Sequence, residues 1–477
     1  MLLLAVFASA QPKREFRAVW IQCVNGQFLG MGTQKMQQTL AYQLDELQKD
    51  GCNAIIFQVR PECDALYESK LEPWSYYLTG QQGKAPSPYW DPLKWMIEQC
   101  HRRGMELHAW INPYRAKTKA PHRNAANHVV VRHPGLCFSY DDLILLNPAL
   151  DESRDYICNV VKDIVERYDV DGLHIDDYFY PYPVPGKSVP DAAYFRANSN
   201  GIQDIGDWRR HHVNLFIQQV SETIHATKPW VKFGVSPFGI YRNKRNDPNG
   251  SNTSGLQNYD DLYADVLLWD ANGWMDYCVP QIYWEIGNKA ADYQELINWW
   301  SRHLQHTNLY IGEDVERTAK FRDMGKKMSL HAQLPRVKGT VLWYAKAAVD
   351  NVGNYGTSLR NSYWRYPALQ PLTPTLKSKS PGKVRKVKVM DFDGQKVLFW
   401  TAPKAMRWDA EAVKYVIYRF LKSERVDIDD PTKIVAMTTD THYELPAAAP
   451  KSQFVYVVTA LNRMDDESRA VKKKVKY

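Results

Sequence analysis

Two adjacent carboxylates, Asp176 and Asp177, end a short apolar stretch within the segment Asp171–Pro181, which reads Asp-Gly-Leu-His-Ile-Asp-Asp-Tyr-Phe-Tyr-Pro. Leu173 and Ile175 alternate with polar positions before the acids, which predicts a strand leaving a buried core. Glycoside hydrolysis uses carboxyl groups for proton transfer and for attack at the anomeric carbon, and aromatic rings stack on sugar faces. An acidic turn with a capping carboxylate would show the same local pattern, so the choice between a catalytic site and a structural turn depends on the rest of the sequence.

Around this segment, strand and helix patterns alternate eight times. The predicted strands are Phe16–Gln22, Ala54–Arg60, Glu106–Trp110, the stretch starting at Asp171, Val231–Ser236, Tyr277–Trp284, Leu309–Gly312 and Gly339–Tyr344. The predicted helices are Thr33–Lys49, Asp91–Arg103, Glu152–Tyr168, Asp207–Thr227, Tyr259–Trp269, Ala291–His306, Ala319–His331 and Ala348–Tyr363. This alternation predicts a (β/α)₈ TIM barrel over residues 14–364. A doubly wound sheet is the rival fold, but its phosphate-binding glycine fingerprint is missing.

Residues 365–382 carry four prolines and two serines and are predicted to be a linker. Beyond them, residues 383–477 contain short alternating runs separated by turns, which predicts a small all-β sandwich. Trp400 and Tyr456 resemble the core aromatics of fibronectin type III domains. The fold class is therefore α/β, a barrel followed by a sandwich, and the sandwich is expected to space the barrel or to dock it to the envelope or a protein.

In a TIM barrel, the residues just past the carboxyl ends of the strands form the active face. Polar and aromatic residues stand at nearly all of these positions, which suits sugar hydroxyls and flat ring faces. The candidate substrate-binding residues are Arg60, Asp64, Tyr67, His108, Trp110, Asn112, Arg115, His174, Tyr178, Ser236, Arg242, Gln281, Tyr283, Trp284 and Trp343.

The composition is that of a soluble globular protein, with 44% hydrophobic and 24% charged residues. The 16 Trp and 29 Tyr suit a carbohydrate cleft as well as a large core. The net charge is +8, and no basic stripe or nucleic-acid-binding motif accompanies it, so nucleic acid is not an expected partner. The seven cysteines form no Cys-x-x-Cys motif and are predicted to be buried free thiols.

Residues 1–10 resemble the end of a secretory signal, with the apolar run Leu2–Phe7 before Ala8-Ser9-Ala10. No other stretch has the roughly 20 apolar residues of a membrane span. We therefore expect an exported protein, periplasmic or at the cell surface. An ordinary apolar N-terminus is the alternative.

Several of these stretches carry a resemblance to the bacterial glycosyl hydrolase-like 10 family. They are FRAVW at 16–20, QVRP at 58–61, DALY at 64–67, LHAWINPYR at 107–115, the segment 171–181, WRR at 208–210, GVSPFG at 234–239, PQIYW at 280–284 and the tryptophan pair at 299–300. The resemblance implies an envelope TIM-barrel glycoside hydrolase that cleaves peptidoglycan glycan strands lacking stem peptides. Glu62 and Cys63 depart from the family pattern, and no cysteine supports a lipoprotein anchor.

Glycoside hydrolysis normally needs two carboxyl groups. Asp176 is the first candidate, because it ends the fourth strand and faces the barrel axis if His174 also does. Asp177 is a further candidate and would then point sideways, to orient Arg115 or His108, unless a bulge at the end of the strand exchanges the two orientations.

Glu285, after the PQIYW strand, is the candidate for the second catalytic carboxyl, although its side chain can instead cap the next helix. Glu313 is the next candidate, and a surface loop acid is its simpler interpretation. Arg60, Arg115 and Arg242 can hold an anionic group such as the lactyl carboxylate of muramic acid, or can only pair with Asp64 and the strand-four acids.

His108 and His174 lack the spacing of a metal site, so no metal and no cofactor is expected. Three rival functions remain: a carbohydrate-binding barrel without turnover, a hydrolase of a dietary or capsular polysaccharide, and a metal-dependent deacetylase. The deacetylase would need a metal triad that these spacings do not supply.

Overall fold

Eight parallel strands form a closed barrel in which each strand pairs with the next in sequence and the last pairs with the first. The structure is a computed structural model that describes residues 11–405 and 407–477; the predicted signal-like segment, residues 1–10, lies outside them. The strands, labelled β1 to β8, are Phe16–Ile21, Ala54–Arg60, Glu106–Ile111, Gly172–Ile175, Lys232–Val235, Tyr277–Cys278, Asn308–Asp314 and Val337–Trp343. Phe16 aligns with Gly339 where β1 meets β8. The predicted TIM barrel is confirmed.

Helices follow the strands and cover the outside of the barrel. The main ones are Gly32–Lys49, Pro92–Arg102, Asp151–Arg167, Ile205–Thr227, Val266–Ala271, Tyr293–His303, Val315–Phe321, Met324–Gln333 and Ala345–Val349. In the first of them, Met36, Leu40, Leu44 and Leu47 form the buried stripe, at the helical spacing that predicted it.

Three predicted helices are broken, and each break lies at a residue with positive φ that is not glycine. Tyr263 (φ 56°) separates Asn258–Asp261 from Val266–Ala271, and Arg322 (φ 55°) ends Val315–Phe321. The last predicted helix is interrupted at Asn351 in the same way, with φ 55°. The left-handed region ends a helix but leaves little trace in the hydrophobic pattern.

The sixth strand is also shorter than the predicted Tyr277–Trp284. Only Tyr277–Cys278 forms a regular ladder, because Pro280 has no amide hydrogen to donate. Gln281 continues the sheet only through single bridges to Phe238 and Gly312. The chain is therefore irregular at this point of the barrel rim.

The residues of β1 divide into two layers by the period of two. Phe16, Ala18 and Trp20 point into the barrel interior, whereas Val19 and Ile21 pack against the surrounding helices. Trp20 consequently reaches the axis at the end of β1 where ligands bind in this fold.

The C-terminal region folds as two antiparallel sheets. Its strands, labelled β9 to β15, are Arg385–Phe392, Gln395–Thr401, Lys414–Leu421, Ile434–Thr438, His442–Glu444, Gln453–Leu461 and Val471–Lys476. One sheet has the order β9-β10-β13 and the other β12-β11-β14-β15. Trp400, Ile417 and Tyr456 pack between them. The short strand His442–Glu444 was not predicted, and the likeness to fibronectin type III stays a prediction.

The segment predicted as a linker is packed against the barrel. Leu369 is 1% exposed and exchanges backbone hydrogen bonds with the chain around Arg14, and Gln370 Nε2 donates to the carbonyl of Asn53 at 2.8 Å. Near the end of the sandwich, Glu467 accepts from Lys13 Nζ at 2.6 Å. The sandwich and the start of the barrel thus share one contact surface.

All seven cysteines are free thiols, and six of them are buried, as predicted; Cys137 is half-buried. Within residues 11–405 and 407–477, no helix has the length and apolar character needed to cross a membrane.

Candidate active site

The carboxyl end of β4 carries the two acids. His174 points to the barrel axis, where its Nδ1 lies 3.1 Å from the Tyr277 hydroxyl. Two residues on, Asp176 follows on the same face and accepts hydrogen bonds from Trp110 Nε1 at 3.0 Å and Asn112 Nδ2 at 3.2 Å. Both donors come from β3 and the loop after it, so two neighbouring strands fix this carboxyl group.

Asp176 is 3% exposed. Burial raises the pKa of its carboxyl group to about 7, against the opposing effects of Arg115 and the hydrogen bonds from Trp110 and Asn112. The neighbouring charge of Asp177 adds to the increase. Asp176 can therefore hold a proton near neutral pH, as a general acid must.

The carboxyl group of Asp177 contacts the loop that follows β4. The Tyr182 hydroxyl donates to its Oδ2, whereas the Gln281 amide donates to the carbonyl of Ser236 at 2.9 Å. Burial raises the pKa of Asp177, and the hydrogen bond from Tyr182 opposes the shift. The expectation that Asp177 orients Arg115 or His108 is wrong, because the chain after Pro181 folds back and brings Tyr182 to it.

Four aromatic rings form the floor of the cleft beside Asp176. The centroid of the Trp343 ring lies 6.3 Å from Trp20, 6.4 Å from Trp110 and 6.3 Å from Tyr283, with the Tyr283 ring close to parallel. Trp20 and Trp110 are buried, whereas Tyr283 and Trp343 are half-buried. Tyr283 and Trp343 therefore offer the flat apolar surface that a sugar face packs against.

Arg115 lies at the edge of this floor, with its guanidinium carbon 4.0 Å from the centroid of the Tyr178 ring. Burial opposes its charge, yet the neighbouring Tyr178 hydroxyl and Asp176 carboxyl group raise the pKa of Arg115, so it stays protonated. Within residues 11–405 and 407–477, its guanidinium forms no ion pair within 4 Å with an acid. Arg115 is thus a cation next to the acids and able to pair with an incoming anion.

Three of the predicted site residues lie elsewhere. Arg60 is fully buried and forms a bidentate ion pair with Glu72, at 2.6 and 2.8 Å, rather than with Asp64. Asp64 accepts from Gln82 Nε2 at 3.0 Å, and burial raises its pKa to about 6. Tyr67 is buried with its ring against Tyr168. These residues hold the long loop after β2 and do not line the cleft.

Arg242 and Trp284 are also engaged by their own surroundings. Arg242 pairs with Asp260 at 2.9 Å and with Asp247 at 3.1 Å. The Trp284 ring lies edge-on to Phe238, with centroids 5.5 Å apart. The charge of Arg242 is therefore balanced by these two acids.

Glu285, the predicted second carboxyl, accepts from Arg317 Nε and from Asn288 Nδ2, both at 2.7 Å. Burial alone would raise its pKa, but these donors outweigh it and lower the pKa to about 2. The surface-loop interpretation of Glu313 is wrong, since Glu313 is fully buried and accepts from Tyr293 at 2.6 Å. Residues 313 and 314 alternate along β7, and Glu313 points outward into the helix layer.

A chain of buried polar groups runs down the barrel axis from His174 to the sandwich. Tyr277 OH lies 2.7 Å from His108 Nδ1, and His108 Nε2 lies 3.0 Å from Glu106 Oε2. Glu106 accepts from Lys232 Nζ at 2.7 Å, and Lys232 also donates to Asp465 of the sandwich at 2.9 Å. His108 therefore lies deep in the barrel and is not exposed at the cleft.

The charged groups next to the sandwich determine which atom donates in each hydrogen bond of this series. The charge of Lys232 and the His108 hydrogen bond keep Glu106 ionised despite burial, so Glu106 accepts from His108 Nε2. His108 Nδ1 is then left to accept from Tyr277, whose oxygen accepts from His174 Nδ1. His174 Nε2 in turn accepts from Ser236 Oγ at 2.9 Å and Trp20 Nε1 at 3.2 Å. Burial lowers the pKa of His174 well below its usual range, in accord with a neutral ring.

The sequence model of the glycosyl hydrolase-like 10 family matches residues 15–327, which include β1 to β7 and both acids of β4. The chain belongs to this family.

Curated relatives in this family include glycosyl hydrolase YngK of Bacillus subtilis (strain 168), which is 37% identical over 98% of this chain and 95% of its own length. Glycosyl hydrolase DigH of Escherichia coli (strain K12) is 37% identical over 64% of this chain and 75% of its own. Among solved structures, the catalytic domain of the β-amylase from Paenibacillus polymyxa matches 74% of this chain and 98% of its own with a TM-score of 0.51. At 12% identity, that likeness shows the fold alone.

As a member of the glycosyl hydrolase-like 10 family with this barrel, the protein is a glycoside hydrolase. The site that the structure brings together contains Asp176, Asp177, Trp110, Asn112, Arg115, His174, Tyr178, Ser236, Gln281, Tyr283 and Trp343. A protonated acid and a second carboxyl group are the groups that glycosidic cleavage uses, and the apolar floor suits the binding of a sugar face.

Two members of this glycosyl hydrolase-like 10 site were not predicted. Trp20 could have been found, because it shares the inward face of β1 with Phe16 and Ala18. Tyr182 follows Pro181 in an irregular loop, where no periodic pattern indicates which way a side chain points.

Proposed function

We propose that this glycoside hydrolase cleaves glycosidic bonds in a cell-envelope polysaccharide, and that its substrate is peptidoglycan glycan lacking stem peptides. The observation that carries the proposal is the buried pair Asp176 and Asp177 beside a floor of aromatic rings. Asp176 is the general acid, since it keeps its proton near neutral pH. The family resemblance supports the substrate class.

Arg115 supports the choice of an acidic glycan. Of the three arginines considered for anion binding, Arg60 and Arg242 are paired with acids, whereas the Arg115 guanidinium faces Tyr178 beside Asp176. A lactyl carboxylate of muramic acid in the cleft would give Arg115 the partner it lacks within the described part of the chain. Strands lacking stem peptides keep this carboxylate free.

The export of the protein is part of the proposal, because peptidoglycan lies outside the cytoplasmic membrane. It is supported by the signal-like pattern of residues 1–10. We propose that the protein is periplasmic or at the cell surface, and cell fractionation tests this. Docking of the sandwich to an envelope component stays a prediction.

The function is tested by incubating the protein with peptide-free peptidoglycan strands and weighing the products by mass spectrometry. We expect disaccharide-based fragments from the wild type and none from Asp176→Asn. Asp163→Asn is the matched control, because Asp163 pairs with Arg167 on an outer helix, and it is expected to cleave at the wild-type rate. Binding without cleavage by the wild type would instead indicate a carbohydrate-binding barrel.

A further inference from the structure

Five acids that follow other barrel strands are engaged in hydrogen bonds with their own surroundings. They are Glu62, Asp64, Glu285, Glu313 and Asp314, and each accepts a hydrogen bond from its own loop or from the helix layer. Asp314 lies opposite Trp343 and near Tyr283 at the floor, but its carboxylate caps the helix Val315–Phe321 by accepting from the amide of Arg317 at 2.8 Å. Asp176 and Asp177 are thus the two carboxyl groups at the aromatic floor that are not held as a helix cap.

A pair made of neighbouring residues has a geometric consequence. Their Cα atoms are about 3.8 Å apart, so both carboxyl groups approach a bound sugar from the β4 side. An acid and a protein nucleophile must instead flank the glycosidic bond from two directions. Asp176 is hydrogen-bonded to Trp110 and Asp177 to Tyr182. Asp177 therefore does not lie on the side of the sugar opposite Asp176, where a protein nucleophile would have to be.

We propose that Asp176 and Asp177 form a substrate-assisted site, in which the carbonyl oxygen of a 2-acetamido group on the cleaved sugar is the nucleophile. The inference rests on the proposed function and narrows its substrate class to glycans of N-acetylated amino sugars. Both sugars of a peptidoglycan strand meet this condition.

The reaction then has two balanced steps. In the first, Asp176 gives its proton to the glycosidic oxygen, the bond from C1 to that oxygen breaks, and the acetamido oxygen bonds to C1. The acetamido N–H hydrogen-bonds to the Asp177 carboxylate, which takes this proton as the oxazoline forms. In the second, Asp176 deprotonates water, which attacks C1, while Asp177 returns the proton and the acetamido group re-forms. The product keeps the configuration of the substrate.

The surroundings of the two acids suit these separate roles. Tyr182 donates to Asp177 and stabilises a carboxylate that receives the acetamido N–H. Burial raises the pKa of Asp176 to about 7, so this carboxyl group keeps its proton near neutral pH. Beside them, the half-buried rings of Tyr283 and Trp343 offer an apolar surface for the acetamido methyl group.

The test compares strands that differ only in the group on the sugar nitrogen. Peptide-free strands are chemically de-N-acetylated and then re-acylated with acetyl or trifluoroacetyl groups, because fluorine weakens the carbonyl oxygen as a nucleophile. We expect full activity on the acetyl strands, a kcat lower by about 100-fold or more on the trifluoroacetyl strands at similar KM, and no cleavage of the free amines. Product NMR is expected to show a retained anomeric configuration.

Asp177→Asn is expected to lose about 100-fold or more in kcat on acetyl strands, and Asp163→Asn is expected to lose nothing. For the wild type, an equal kcat on acetyl and trifluoroacetyl strands, or a product with inverted anomeric configuration, would overturn the inference. These two measurements do not depend on whether Asp177→Asn folds. Cleavage of the free-amine strands would overturn it while leaving the proposed function intact. No cleavage of acetyl strands would contradict both.

Discussion

Trp110 Nε1 lies 3.0 Å from Oδ2 of Asp176, so a side chain of β3 holds the acid at the end of β4. The two strands pair with Trp110 opposite His174, and Asp176 is the next inward residue after His174. The acid is therefore positioned by the ladder of the barrel rather than by a loop, which favours precise geometry for proton transfer.

The activity of the wild type is expected to fall as the pH rises above about 7. Burial raises the pKa of Asp176 to about 7, and a general acid works only while it is protonated. The measurement is kcat/KM on peptide-free strands between pH 5 and pH 9. A profile that stays flat to pH 9 would contradict the assignment of Asp176 as the acid.

Trp110→Phe is expected to move the alkaline limb of this profile to higher pH. The indole N–H stabilises the ionised form of Asp176, so its loss raises the pKa of the carboxyl group further. We expect kcat to fall by about tenfold, because the acid is less well positioned. A purely structural role of Trp110 would lower kcat without shifting the limb.

Asp176→Asn is expected to gain stability relative to the wild type as the pH rises. Between the usual Asp value of 3.8 and about 7, the folded wild type keeps a proton that the unfolded chain has lost, so its stability falls with pH. Asparagine does not titrate, and the difference between pH 4 and pH 8 amounts to as much as about 4 kcal/mol. Thermal unfolding at both pH values measures it, and an equal difference at both would refute the raised pKa.

Asp465→Ala is expected to destabilise the whole protein by about 3 kcal/mol or more. It leaves one N–H donor of the buried Lys232 ammonium without its acceptor while Glu106 stays paired, and an unsatisfied buried donor on a charged group is costly. The matched control is Asp429→Ala, because Asp429 pairs with Lys13 but is largely exposed; we expect a loss below about 1 kcal/mol. Chemical unfolding compares them, and similar losses would rule out a special role for the buried pair.

Trp343→Ala is expected to weaken glycan binding by about 3- to 10-fold, since a ring that stacks on a sugar face is lost. Calorimetry in an Asp176→Asn background separates binding from turnover. Trp408→Ala in the sandwich is the control, because Trp408 packs against Trp230 far from the floor, and unchanged affinity is expected. Equal effects of the two changes would show that the floor is not the glycan site.

The barrel could be predicted because its signals are local and repeated. Each strand is a short apolar run, as in Ala54–Arg60, and each long helix has a buried stripe, as in Gly32–Lys49. The helix breaks at Tyr263 and Arg322 could not, since a positive φ at a residue that is not glycine depends on tertiary packing.

The candidate site was predictable as a set of strand ends but not as a set of contacts. Trp110 and Asp176 could be placed at one rim because parallel strands end together. That Arg60 turns to Glu72, and Glu285 to Arg317, depends on partners 12 and 32 residues away in the chain. The spacing of residues in the sequence does not predict which of several acids will form an ion pair with a given arginine.

The contact between Lys13 and Glu467 joins the two extremes of the described chain. During synthesis, β1 can form its ladder with β8 only after β8 has been synthesised. Lys13, which precedes β1, can bind Glu467 only after most of the sandwich has been synthesised. Contacts between residues far apart in the sequence make folding slow, because the entropy of closing a long loop is lost before the stabilising contacts form. The contacts between the start of the barrel and the sandwich are thus expected to form only after the last strands have been synthesised, and the surfaces that they cover are exposed to aggregation until then.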